Sequence, residues 1–70
     1  MNNAELNYRM TLLGLGTLYL SIFPSNLSKF DHHKIEKYKK AIGDLSRIIK
    51  RRDVKTDVLE VAVMNVKKFH

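Results

Sequence analysis

From Met10 to Phe23 the chain reads MTLLGLGTLYLSIF, fourteen residues without a charge. Wound as a helix, this run points Leu12, Leu13, Leu15, Leu18, Tyr19, Leu20, Ile22 and Phe23 in nearly every direction. A helix that is apolar all round must be surrounded by something. Asn2 or Asn3 can cap its first amides, and Glu5 sits in the first turn, where the helix dipole favours a carboxylate. The pattern predicts a helix over about 3–23. Thr17, Tyr19 and Ile22 make a strand over 17–23 the competing reading. Gly14 and Gly16 weaken the helix by about 1 kcal/mol each but let another backbone come close. Pro24-Ser25-Asn26 ends it, because proline drives the preceding residue out of the helical region and Ser and Asn favour turns. Leu27 and Phe30 are expected to tuck back onto the core.

The second stretch has a cleaner period. After Asp31, a good N-cap, come Ile35, Tyr38, Ile42, Leu45 and Ile49 at alternating spacings of three and four, with Ala41 and Ile48 beside the seam. The spacing predicts a helix over 31–52. Glu36 and Lys40 stand in the favourable i,i+4 order. Away from the seam, Lys37, Lys40, Asp44, Arg47 and Arg51 share an arc of roughly 80°. Lys50, Arg51 and Arg52 lie where cations complement the C-terminal dipole.

A break near residues 53–56 follows, and either Asp53 or Thr56 is a candidate cap for a third helix over 55–69. Val54, Val58, Val61, Ala62, Asn65, Val66 and Phe69 line one side of it. The valines alone suggest a strand, but period two fails because Glu60 and Asn65 fall on opposite faces.

These patterns make an all-α fold, a single three-helix domain over 1–70, with the first helix packed between the other two and most buried. Two amphipathic partners, each offering a stripe a little over 100° wide, leave part of an all-apolar helix uncovered. Self-association is therefore expected, most simply a two-fold homodimer through Leu12, Leu15, Leu18, Tyr19 and Phe23.

Charge sharpens the functional reading. Residues 1–30 carry +1 and residues 53–70 carry zero, whereas eight lysines and arginines against Asp31, Glu36 and Asp44 give residues 31–52 a charge of +5. The basic face of Lys37, Lys40, Arg47, Lys50, Arg51 and Arg52 points to a partner of opposite charge. The leading expectation is a small regulatory or inhibitory interaction protein that binds an acidic protein surface. The alternative is a nucleic-acid-associated protein that contacts phosphates with the same face. Asp44 interrupts the stripe, aromatics for base stacking do not interleave with it, and the connection RRDVKT lacks the glycine common in a helix-turn-helix. A third alternative is a membrane-associated protein anchored by residues 10–23. That run is about 21 Å long as a helix against roughly 30 Å of hydrocarbon, which disfavours a membrane. A signal peptide is disfavoured as well, because Glu5 sits in the leader and no A-x-A-like cleavage site follows the run.

No cysteine is present, so disulfides and thiolate metal sites are excluded, in keeping with a reducing, cytoplasmic setting. His32 and His33 diverge by about 100° on a helix, and with His70 they form no chelating set. Gly14-Leu15-Gly16 lacks the further residues of a nucleotide fingerprint, and no nucleophile–base pair stands out. The expectation is a protein that is not an enzyme and holds neither metal nor cofactor.

Overall fold

A computed structural model describes residues 2–70; Met1, the first residue of the expected 1–70 domain, lies outside the described residues. Three helices make an all-α bundle: α1 over Asn3–Ser21, α2 over His32–Ile48 and α3 over Thr56–Lys67. A single 3-10 turn, Leu27–Lys29, interrupts the first connection.

Each helix starts and stops for a local reason. The Asn2 side chain accepts from the Glu5 amide at 2.7 Å, and Asp31 accepts from the Lys34 amide at the same distance. α1 stops at Ser21, two residues short of the expected end, because Ile22 is already extended at φ −126°, ψ 128° ahead of Pro24. Pro24 and Phe30 are buried and Leu27 is half-buried, so the connection does fold back onto the core. α2 ends at Ile48 rather than Arg52. The Arg51 amide reaches back only three residues, to the Ile48 carbonyl, and the chain leaves the helix in a tight turn. At α3 neither expected cap acts: Lys55 occupies the capping position without a side-chain bond, and Thr56 is already helical.

The order of packing differs from the expectation. α3, not α1, sits in the middle: it packs along both other helices, while α1 and α2 touch each other only slightly. Four of its twelve residues, Leu59, Ala62, Val63 and Val66, are buried, against only Leu12 and Gly16 among the nineteen of α1. The reason is shape. Apart from Leu59, the buried residues of α3 are short or β-branched, so two neighbours can close on it from different sides. The leucines of α1 are spread too widely around its axis for any neighbour to cover them all.

α1 and α3 run parallel, with α2 antiparallel to both. At one end the Arg9 guanidinium donates to the Thr56 hydroxyl and the Tyr8 hydroxyl donates to the Glu60 carboxylate. At the other end the rings of Tyr19 and His70 lie 4.8 Å apart. Leu12, Leu45, Leu59, Val63 and Val66 form the fully buried centre. Phe30, Tyr38 and Phe69 close the far end, with ring centroids 5.4–6.1 Å apart. Burial raises the Tyr38 hydroxyl above the usual tyrosine range. Residues 2–8, by contrast, are all exposed, so the first turns of α1 project past the start of α3.

Candidate anion-binding groove

The basic face expected on α2 is divided by its own carboxylates. Asp44 stands between Lys40 and Arg47 and pairs with both, at 3.2 Å from the Lys40 ammonium. Glu36 pairs with Lys39 at 3.7 Å, one residue short of the expected partner Lys40. Lys50, Arg51 and Arg52 lie beyond the end of α2, and the Arg51 guanidinium grips Asp53 through two hydrogen bonds of 3.0 and 3.1 Å. That hydrogen-bonded contact, reinforced by Coulombic attraction, lowers the Asp53 carboxyl and raises Arg51 from their ordinary values. Of the six expected site residues, Lys37, Lys50 and Arg52 have no carboxylate partner among the described residues.

Lys37 gains different company. It borders a surface groove of about 450 Å³ between α2 and the end of α3, lined by Asp31, His33, Lys34, Lys37, Lys68 and Phe69. Lys37 and Lys68 also border an adjoining hollow with Lys40, Ala41, Asp44 and Asn65. Lys34 and Lys68 are likewise free of carboxylates among the described residues. Their ammonium groups lie 4.4 Å from the Phe30 ring centre and 5.6 Å from that of Phe69. Two lysines of α2 and one just past the end of α3 therefore face one hollow, with the buried Phe69 in its wall.

Farther along the same seam the character changes. Ile48, Val58, Val61 and Ala62 make an apolar stretch edged by Asp44, Asp57 and Asn65. The α2–α3 groove is thus cationic at one end, and apolar with two carboxylates at the other. A ligand lying along it meets both.

The residues expected to mediate self-association are scattered in burial. Leu12 has no exposed surface and belongs to the core, because it faces the seam where α1 meets α3. Leu15 and Tyr19 are half-buried, whereas Leu18 and Phe23 are 47% and 72% exposed. His33 borders the cationic groove and His70 packs on Tyr19. Among the described residues, no three histidine or carboxylate side chains stand close enough to share a metal ion. None of the described helices is long and apolar enough to cross a membrane.

Lys34, Lys68 and Asn65 are the groove residues that sequence reasoning missed. Lys34 is read most easily as part of the first turn of α2, and Lys68 as part of a neutral C-terminal stretch. Only the antiparallel packing of α2 on α3 brings them together. Set against known proteins, the chain matches no family model, no curated protein and no solved structure.

Proposed function

We propose that the protein is a non-enzymatic binding protein whose α2–α3 groove seats an acidic segment of a partner protein, and that it regulates or inhibits the partner by covering that segment. The observation that carries this reading is the set of Lys34, Lys37 and Lys68 around one hollow, none of them in an ion pair among the described residues, with Asp31 the single carboxylate in its lining. Three ammonium groups on a shared wall attract carboxylates more strongly than the same charges dispersed.

Two features favour a protein segment over a nucleic acid. The aromatics nearest the lysines, Phe30, Tyr38 and Phe69, are buried against one another and offer no free face for a base. The continuation of the groove is an apolar wall that accepts apolar side chains, and Asp57 at its edge repels a phosphate backbone. A segment carrying acidic residues followed by apolar ones fits both halves.

The test is a fluorescence titration with a labelled peptide of glutamates followed by leucines, set beside duplex DNA and single-stranded RNA of equal charge, at low and moderate salt. Preference for the peptide, lost in Lys37→Glu/Lys68→Glu, supports the reading. Tighter binding of either nucleic acid, or equal peptide binding by the double variant, overturns it.

A further inference from the structure

The outward face of α1 is as neutral as the groove is charged. Pointing away from α3, it presents Leu6, Met10 and Leu18 with the small or uncharged polar Asn7, Gly14 and Ser21 among them, all exposed, with Met10 61% exposed. No charged residue occurs between Arg9 and Lys29. The hydroxyls along the helix are turned inward: Thr11, Thr17 and Ser21 each donate to the carbonyl four residues back, at 2.7–3.0 Å. Those donors are already satisfied, so an apolar surface can cover this face without stranding them.

The protein exposes more surface than its mass requires. A compact monomer of this 8.2 kDa mass exposes about 4,500 Å². The protein exposes 5147 Å², and its extents of 42 × 19 × 15 Å show the elongation responsible.

From these observations we infer that the outward face of α1 is a homodimer interface, occupied by the same face of a second copy around a two-fold axis. Charge selects the occupant. Each chain carries +6, so two copies can meet closely only through a surface without cations, and this helix face supplies one. The groove lysines lie across the bundle from it, where screening over about 8 Å at physiological salt quiets their mutual repulsion. A lipid surface is the poorer match, because an interfacial helix needs lysines or arginines flanking its apolar face, and the one cation of α1, Arg9, is turned to Thr56 of α3. The contact differs from one through Leu12, which is buried, and leaves the α2–α3 groove open in both copies. It does not depend on the groove's function.

Sedimentation equilibrium over micromolar concentrations, at low and high salt, tests the inference. The wild-type chain is expected at twice the chain mass, with association undiminished by salt, whereas ligand binding in the groove weakens with salt. Met10→Glu/Leu18→Glu, both at exposed positions, is expected at the single-chain mass with an unchanged helical circular-dichroism spectrum. Leu18→Gln is a milder second variant, expected to shift the equilibrium in the same direction. A monomeric wild-type chain overturns the inference, whether or not it binds vesicles of phosphatidylcholine and phosphatidylglycerol. So does an unaltered dimer in both variants. Because no arm contains an acidic ligand, failure here leaves the groove reading standing, and the converse holds.

Discussion

Gly16 on α1 and Ile49 at the end of α2 meet so closely that a methyl group on the glycine would stand 2.9 Å from the isoleucine Cδ1. Leu45 and Val63 close the same spot at 3.4 Å. Gly14, half a turn earlier, has nothing within 4 Å of the same position. The two glycines therefore predict different outcomes. Gly14→Ala should raise stability by up to about 1 kcal/mol through helix propensity alone. Gly16→Ala should gain less, since Ile49 must turn aside, and Gly16→Val should lose about 1–3 kcal/mol by overpacking. Urea midpoints of the three variants check this, and equal gains for both alanines would contradict the packing.

The groove predicts a hierarchy among charge reversals. Lys37→Glu and Lys68→Glu should each weaken acidic-peptide binding about tenfold or more. Arg51→Glu, whose partner is Asp53, should weaken it far less. Repeating the titrations at several salt concentrations should give a shallower slope for the groove variants, because fewer ion contacts remain to be screened.

Tyr8 and Glu60 tie the projecting start of α1 to α3, and this tie should respond to alkali. The hydrogen bond to Glu60 raises the Tyr8 hydroxyl above its ordinary value, with smaller contributions from desolvation and from the carboxylate's charge. A group raised in the folded state stabilises fully below its unfolded pKa of about 10 and ceases to do so as pH climbs through the raised value. Circular dichroism of wild type and Tyr8→Phe should therefore diverge below about pH 10 and converge above the raised value. Tyr38 titrates in both proteins and cancels in the comparison. Superimposable profiles throughout would refute the tie.

The two capped helices should tolerate loss of their caps differently. Asp31→Ala removes the bond to the Lys34 amide and should cost about 1 kcal/mol of global stability, since α2 is packed close to its start. Asn2→Ala removes the equivalent bond at the projecting end of α1. Hydrogen exchange should then quicken in the first turns of α1 while the denaturation midpoint barely moves.

Much of this architecture is legible in the order of residues. Asp31 and the Ile35–Ile49 seam mark α2, and Pro24 marks the end of α1 to within two residues. Three things are not legible, each for a physical reason. The end of α2 is obscured because Lys50, Arg51 and Arg52 suit a helix C-terminus and a turn equally well; the Arg51–Asp53 pair belongs to the turn. The central place of α3 is obscured because total apolarity favours α1, while packing rewards the compact Leu59, Val63 and Val66 surface. The meeting of Lys37 with Lys68 joins residues 31 positions apart and exists only once α2 and α3 align.

That alignment sets a timetable for folding. α1 and α2 leave the ribosome first, yet they share little surface, and the helix both pack against is synthesised last. At ordinary elongation rates α2 is complete for roughly one to four seconds before Lys67 is added. During that interval the nascent chain holds two helical segments without their common partner, and the leucines of α1 are open to chaperones or to a second nascent chain. The native packing of α1 and α2 thus waits on residues 56–67, which supply the surface that both earlier helices need.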